Sequence, residues 1–354
     1  WILYPTFAVI AAAYGTTGDK PARFLVPFTF VSLLMVLIAW TPIEVNYHRE
    51  VPVSKLALAM LVAYVTYGVS YYYCLVSEDY KANRLRSYIA VAAVATFFFA
   101  IFIMDPPEIA KKAAGWLSDN GLGMFGKVSE QGVEASQWGG LFVNLIVATA
   151  GCVLGFGVGV VLAFGRQSDL PFFSVPSVAI IELVRSGPLI CWLWFAVFLM
   201  PDLIDPFYDA EDIMRMLLIF GLFGGCYIAE VLRGGLQAVD SGQKEAAVAL
   251  GLTPFQTKMQ VELPNAVRTT LPSIVSVFIG LWKDTTLLFI INILDFFKLA
   301  KDLPNTDIRF LGDFLEPIYV TAVVFWAFAF YLSRVSMRIE KNLGLVKEGG
   351  GEIA

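Results

Sequence analysis

Histidine and cysteine, the residues that build most metal and disulfide sites, are scarce in this chain. Its 354 residues include one histidine, His48, and four cysteines. No C-x-x-C pair occurs, and all four cysteines lie in apolar segments, where we expect them to pack as small buried hydrophobic side chains: Cys74, Cys152, Cys191 and Cys226. A lone histidine in a polar stretch leaves a His/Cys metal site without ligands.

Charge is scarce as well. Charged residues make up 16% of the chain, whereas soluble domains carry about 25%. The net charge of -5 provides no basic stripe for phosphates, which argues against a nucleic-acid partner. No Gly-x4-Gly-Lys-Ser/Thr loop is present, so we expect this chain to bind no ATP, to hold no cofactor and to catalyse no covalent reaction.

Long hydrophobic segments are abundant. Hydrophobic residues make up 58% of the chain, and the mean hydropathy is +0.70. About 20 apolar residues in helical form cross the ~30 Å hydrocarbon core of a bilayer, so the fold is predicted to be an all-α polytopic membrane protein. The predicted spans are Phe24–Pro42, Leu56–Val76, Tyr88–Met104, Gly139–Gly165, Val175–Met200, Met214–Val231, Leu271–Leu294 and Pro317–Ser333.

Lysine and arginine concentrate in alternate short loops, and such loops predict the cytoplasmic side. If residues 234–267 are cytoplasmic, the C-terminus is cytoplasmic too, and the acidic loops 201–212 and 295–313 lie outside. The first residue then also lies outside. No secretory signal pattern is present. Because the chain opens on Trp1 rather than Met, and because it would start outside, we expect either further sequence upstream or an unusual outward N-terminus.

The chain is predicted to divide near residue 137. Residues 1–104 hold three to four accessory spans, and the polar residues 105–137 form an external linker or surface helix. Residues 138–340 hold five spans, and residues 341–354 form a cytoplasmic tail. Within the fourth predicted span, Gly155-x-Gly157-x-Gly159 indicates a close helix-packing surface.

Residues 240–264 predict two short helices joined by a glycine turn. Asp240 is expected to cap the first helix with Gln243 as its reciprocal partner, and Gly251 to end it in a left-handed conformation. Thr253 is expected to cap the second helix, and Pro264 to end it. The first helix also presents small residues beside the charge of Glu245, namely Ala246, Ala247, Ala249 and Gly251, so the loop is either a docking surface or a plain connection.

The spacing within this loop resembles the EAA signature of ABC importer permeases. The matching residues are Glu245, Ala246, Ala247, Gly251, Val261, Leu263 and Pro264, with valine at position 261 where the family usually has isoleucine. The resemblance implies that the loop seats in a cleft of a separate ATP-binding subunit. These residues would then transmit nucleotide-driven closure to the membrane helices.

The resemblance extends over residues 138–340 to the polar amino acid branch of these permeases, through Glu182 to Leu189, Arg233 to Gly235 and Lys283 to Leu287. Ser186 departs from the threonine that is commoner there. The resemblance implies a five-span, MetI-like core in a bacterial inner membrane. It also implies an ABC ATPase dimer carrying ATP and Mg, a periplasmic amino acid-binding protein, and a second permease subunit that is either similar but non-identical, as favoured for long permeases, or a second copy of this chain. The extra N-terminal spans resemble the long permeases of general or acidic L-amino acid systems.

Several ionisable residues fall inside predicted spans, where charge is costly and indicates a function or a partner. Glu182 and Arg185 are three residues apart, so they form either a self-neutralising pair or part of an amino acid carboxylate site or gate. The following Gly187-Pro188 is expected to loosen that helix. Glu230 and Arg233 repeat the spacing at the end of another span, where a structural role is favoured.

The segment Lys283 to Thr286 is expected to interrupt the helix that follows the loop. Lys283 and Asp284 are adjacent, so we expect them to pair with other helices, while Thr285 and Thr286 bind backbone or ligand. This cluster is the candidate for coupling the loop to the substrate pathway. The alternative functions are an ion-driven secondary amino acid transporter, which leaves the EAA loop without a purpose, and a membrane scaffold.

Overall fold

The computed structural model describes residues 3–17, 21–40, 53–77, 79–104, 108–120, 140–204 and 212–344. All regular elements within these ranges are helical. The chain forms two compact units, Trp1–Pro107 and Glu108–Ala354. His48, most of the predicted linker and the predicted tail beyond residue 344 lie outside the described residues.

The described residues of the first unit form four helices packed through aromatic rings. The Phe24 ring stacks on Tyr67 at a centroid distance of 4.5 Å and on Phe28 at 5.1 Å. The Arg86 guanidinium donates to the carbonyl oxygen of Thr16 at 3.0 Å. The helices are α1 (Leu3–Gly15), α2 (Ala22–Trp40), α3 (Val53–Val76) and α4 (Asp79–Met104).

The second unit begins with a short helix and continues with the long helices of the predicted core. Its first helices are α5 (Glu108–Asp119), α6 (Gly140–Arg166), α7 (Pro171–Ser186), α8 (Leu189–Phe198), α9 (Met200–Ile204) and α10 (Asp212–Gln237). They are followed by α11 (Ser241–Ala249), α12 (Pro254–Thr257), α13 (Leu263–Asp284), α14 (Phe296–Thr306) and α15 (Glu316–Asn342). Short 3-10 turns cover Thr285–Ile291 and Ile308–Phe310.

Within the described residues, five helical segments are long and apolar enough to cross a membrane, on α3, α6, α10, α12–α13 and α15. The pair α7–α8 makes a sixth if it is one span, although its two helices are bent by 104°. The predicted spans over α2 and α4 stay predictions. The break at Gly187-Pro188 confirms the expectation that this dipeptide loosens the helix.

Helices α6 and α10 pack with their backbones in close approach. A Cβ atom added at Gly155 would lie 3.1 Å from the Gly225 nitrogen and 3.3 Å from the Gly221 oxygen, and one at Gly159 would meet Ile228 at 2.7 Å. A Cβ at Gly157 would meet nothing within 4 Å. Because helical neighbours on one face are four residues apart, the predicted glycine surface is right for Gly155 and Gly159 and wrong for Gly157.

The expectation of buried cysteines holds for Cys226 but is wrong for Cys191, which is exposed. Cys191 lies on α8, a helix of ten residues after the break. Trp194 and Phe198 are exposed on the same helix. The other described residues do not pack over this side of α8. The apolar sequence around Cys191 was therefore not enough to predict that the side chain is buried.

Candidate functional site

Helix α11 forms the first half of the predicted coupling loop, residues 234–267. Asp240 caps it as expected, its side chain accepting from the Gly242 N–H at 2.7 Å. Gly251 ends it with φ +81°, in the left-handed region that favours glycine. The reciprocal role expected of Gln243 is wrong, because its Oε1 instead accepts from Asn265 Nδ2 at 2.8 Å.

The second half of the loop begins with the expected cap. Thr253 Oγ1 accepts from the Gln256 N–H at 3.3 Å, and Gln256 Oε1 accepts from the Thr253 N–H at 2.9 Å. The expectation that Pro264 ends this helix is wrong. The helix passes through a π turn, Lys258–Glu262, directly into α13, with Pro264 in its first turn, where a missing N–H is tolerated.

The surface of α11 differs from the expected smooth face at one position. Glu245, Ala246, Ala249 and Gly251 are exposed, but Ala247 is buried and packs inward. Alternate burial of this kind follows from helical geometry, since residues three and four apart share a face. The predicted docking face therefore consists of Glu245, Ala246, Ala249 and Gly251.

Three large apolar side chains around this face were missed by the sequence reasoning. Leu250 is 83% exposed, Phe255 73% and Val248 65%. Their position in a loop between two long membrane helices was a usable signal, because a loop in water has no reason to carry such residues. They enlarge the small-residue face into an apolar surface beside Glu245, the kind of patch that marks a protein contact.

The later residues of the signature lie where α12, the π turn and α13 meet. Val261 and Leu263 are half-buried, while Pro264 is exposed. Lys244 Nζ on α11 lies 3.3 Å from Glu262 Oε2, and this ion pair brings the two halves of the loop together. The signature residues thus form one folded segment between α10 and the membrane part of α13.

A charged cluster lies where α6, α7 and α10 meet, with the carboxylate of Glu230 at its centre. Glu230 Oε1 binds Arg166, and Glu230 Oε2 lies 3.1 Å from Arg233 and 3.7 Å from Arg185. The Glu230 side chain is 17% exposed. The pairing of Glu230 with Arg233 is confirmed, but the same carboxylate also contacts the guanidinium groups of Arg166 and Arg185.

The alternative in which Glu182 and Arg185 neutralise each other is wrong. Glu182 Oε1 instead lies 3.3 Å from Arg166 Nη1, and Arg185 is directed toward Glu230. The guanidinium of Arg185 also lies 5.3 Å from the centroid of the Tyr227 ring. Each of these two charges on α7 therefore pairs with a residue on another helix: Glu182 with Arg166 on α6, and Arg185 with Glu230 on α10. Arg166 was missed as a member of this cluster.

The segment after α13 has the expected interruption, since α13 ends at Asp284 and a 3-10 turn follows. Thr285 is fully buried; its hydroxyl donates to the Trp282 oxygen at 2.7 Å and accepts from Asn144 Nδ2 at 3.0 Å. The Thr286 hydroxyl donates to the Lys283 oxygen at 2.8 Å. Both threonines therefore bind backbone, and Thr285 also joins α13 to α6.

Lys283 and Asp284 were expected to pair with other helices. Neither has an ion pair among the residues that the structure describes, and the Lys283 side chain is exposed. Asn144, which the sequence reasoning missed, does form a cross-helix contact here, because its Oδ1 accepts from the Phe296 N–H at 2.8 Å. Together, the membrane helices, the broken helix pair and the exposed loop helix define a multi-pass membrane permease.

Comparisons with known proteins agree with that class. Residues 155–302 match the family described as "Binding-protein-dependent transport system inner membrane component". An inner membrane amino-acid ABC transporter permease of Escherichia coli is 31% identical over 88% of this chain and 85% of its own length. The chain belongs to this family of ABC transporter permeases, and the expected all-α fold with a MetI-like core and further N-terminal helices is confirmed.

Another relative is the glutamate/glutamine/aspartate/asparagine transport system permease protein of Rhodobacter capsulatus, 39% identical over 60% of this chain. The chain spans about half of that relative's length, 49%. Among solved structures, an amino acid ABC transporter described "with histidines" aligns with 57% of this chain at 24% identity and a TM-score of 0.49. The family membership does not favour the alternative of an ion-driven secondary transporter.

Proposed function

We propose that this chain is the membrane-spanning subunit of an ABC importer that moves polar L-amino acids into the cytoplasm. The proposal is supported by the family membership and by the amino acids named for its relatives, which include glutamate, glutamine, aspartate and asparagine. The chain itself contributes the pathway and no covalent chemistry. ATP and Mg are bound by a separate ATPase subunit.

One observation carries this proposal: an exposed short helix between two long membrane helices, with its small residues and apolar rim turned outward. The small residues Ala246, Ala249 and Gly251 let another backbone approach closely, while Leu250 and Phe255 offer apolar area. Burial of such side chains stabilises a complex by roughly 25 cal/mol per Å². Glu245 adds a charge that can pair with a lysine or arginine on the ATPase.

The proposed assembly contains two ATPase protomers, this permease, a second and non-identical permease subunit, and a periplasmic amino acid-binding protein. The chain lies in a bacterial inner membrane with the coupling loop and the C-terminus in the cytoplasm, where ATP is available. The distribution of lysine and arginine over its short loops supports this orientation.

Candidate residues for the substrate pathway fall into two groups. In the charged cluster Arg185 pairs with Glu230, and Arg166 pairs with both Glu182 and Glu230. The proposed role of Glu182, Arg185 and Glu230 is therefore to hold α6, α7 and α10 at the pathway. Lys283 and Asp284 end α13, and their proposed role is to bind substrate or the second permease. Thr285 and Thr286 fix the backbone beside them.

The test substitutes the docking face in the full chain co-expressed with its ATPase. Gly251→Asp and Glu245→Lys are expected to leave membrane insertion intact while abolishing co-purification of the ATPase and ATP-dependent uptake. Gly344→Asp is the matched control, because Gly344 also has a positive φ, 68°, in open space but lies after α15. Normal ATP-dependent uptake in both loop variants would contradict the proposal.

A second measurement separates this function from ion-driven transport. Uptake by the wild-type complex is expected to survive collapse of the ion gradient and to stop when ATP is depleted. The opposite dependence would identify a secondary transporter and overturn the importer proposal.

A further inference from the structure

Two side-chain contacts join α11 to the base of α13, and neither involves the residues of the EAA signature. Lys244 Nζ lies 3.3 Å from Glu262 Oε2, and Asn265 Nδ2 donates to Gln243 Oε1 at 2.8 Å. Gln243 and Lys244 are neighbours in sequence on α11, while Glu262 ends the π turn and Asn265 lies three residues later in the first turn of α13. The two contacts therefore join α11 to the junction between the π turn and α13.

The Lys244–Glu262 contact is not an ordinary surface ion pair. Glu262 is only 8% exposed, and a carboxylate so placed needs a partner to offset its lost hydration. Lys244 is the cation that the structure places beside it. Removing Lys244 leaves the Glu262 carboxylate without its cation, whereas removing Glu262 only frees an ammonium group that is already 39% exposed. Either change removes the ion pair that joins α11 to the segment leading into α13.

Helix α11 thus has two distinct faces. The buried Ala247 lies four residues after Gln243 and three after Lys244, on the side of α11 that contacts the π turn and the start of α13. Glu245 and Ala249 face outward. The face that contacts the rest of the chain is therefore separate from the face proposed for docking, and the two can be altered independently.

The chain beyond these side-chain contacts is continuous helix. Helix α12 continues through the π turn into α13 without a break, so α13 extends down to the loop itself. Near its base, α13 packs on α10 so closely that a Cβ at Gly235 would lie 2.7 Å from the Ala266 oxygen. A displacement of α11 would accordingly move the base of α13 rather than bend a flexible loop.

We infer that Lys244 and Glu262, supported by Gln243 and Asn265, form a coupling brace that converts movement of the docked helix α11 into movement of α13. The inference rests on the proposed function and assigns these four side chains a positioning role. The outer face of α11 docks on the ATPase, while the coupling brace transmits the movement of α11 to the membrane helix α13. Loss of the brace then separates ATP hydrolysis from uptake.

The experiment measures uptake per ATP hydrolysed in the full complex reconstituted in vesicles. Lys244→Met and Glu262→Gln are expected to keep the ATPase bound and hydrolysing while lowering this ratio at least about fivefold, the lower range of allosteric coupling. The charge-reversed double variant Lys244→Glu/Glu262→Lys is expected to recover most of the loss. Arg268→Met is the control, since it removes one positive charge from an exposed position on α13.

Three outcomes would overturn the coupling brace: an unchanged ratio in both single variants, no recovery in the charge-reversed pair, or loss of the ATPase from the single variants. The last would mean that the pair maintains the docking face instead. Failure of the proposed function is a different result, because the wild-type complex would then show neither a bound ATPase nor ATP-dependent uptake.

Discussion

The two units of this protein hold their helices together by different means. In the first unit, aromatic rings fill the contacts, with Phe24 stacked between Phe28 and Tyr67. In the second, α6 and α10 approach through glycines, and three arginines converge on Glu230. Ring stacking tolerates small shifts, whereas backbone contact and a shared carboxylate fix the helices at one distance.

The two units also differ in where the candidate functional residues lie. The family match, residues 155–302, lies wholly in the second unit, as do the coupling loop and the charged cluster. A segment that transmits force between a loop and a pathway needs helices that move as rigid bodies, and close glycine packing provides such rigidity. The first unit has no comparable requirement in its described residues.

The largest effect is expected at the charged cluster. Glu230→Gln removes the carboxylate that Arg166, Arg185 and Arg233 share and leaves three guanidinium groups close together. Breaking a fully buried ion pair destabilises a protein by about 3–5 kcal/mol, and this loss should be smaller because Glu230 is 17% exposed and its partners are 25–35% exposed. Thermal unfolding in detergent measures the loss, with Glu316→Gln, an exposed glutamate on α15, as control. Equal stability of the two variants would show that the cluster does not hold the second unit.

The second-largest effect on stability is expected at the glycine contacts between α6 and α10. Gly155→Leu would place a side chain against the backbone of Gly225 and Gly221 and should destabilise the second unit by about 1–3 kcal/mol. Gly157→Leu, two residues away in open space, should stay within about 0.5 kcal/mol of wild type. The same unfolding assay compares them. Similar losses in both would mean that helix composition, not the α6–α10 contact, determines stability here.

A smaller effect is expected in the first unit. Phe24→Leu retains a hydrophobic side chain but loses stacking on Tyr67 and Phe28, worth about 0.5–1.5 kcal/mol beyond area burial. Hydrogen exchange of α1–α4 should become faster by a corresponding amount. Phe30→Leu on the same helix is the control, because Phe30 is exposed. Exchange that is equally fast in both variants would argue against the ring stack as the core of this unit.

The smallest effect concerns an exposed pair in the second unit. Hydrogen bonds from the Arg309 side chain and backbone lower the pKa of Asp307 from 3.8 to about 2. A lowered pKa means that the pair stabilises the turn fully above pH 3.8 and loses that contribution as the pH falls through about 2. Arg309→Gln should raise this pKa toward 3.8, measured by carbon-13 NMR titration of labelled aspartate. An unchanged midpoint would exclude Arg309 as the cause.

Local features of the coupling loop were predictable from sequence. The caps at Asp240 and Thr253 and the left-handed Gly251 depend on a few adjacent residues, and all three are confirmed. Pro264 was not predictable in the same way. A proline is usually a helix breaker, but the preceding π turn places it in the first turn of α13, where its missing N–H is tolerated.

The sequence by itself determined the all-α membrane class, the five-span core and the position of the short loop helices at residues 240–257, because apolar length and helix caps depend on consecutive residues. Only the tertiary structure decided which partner each charge takes, which glycines face a neighbour and which side of α11 is buried. Glu182, Arg185 and Lys244 all pair with residues on other helices, at separations from 16 to 45 positions along the chain. Such partners depend on which helices pack together, and no local pattern specifies that.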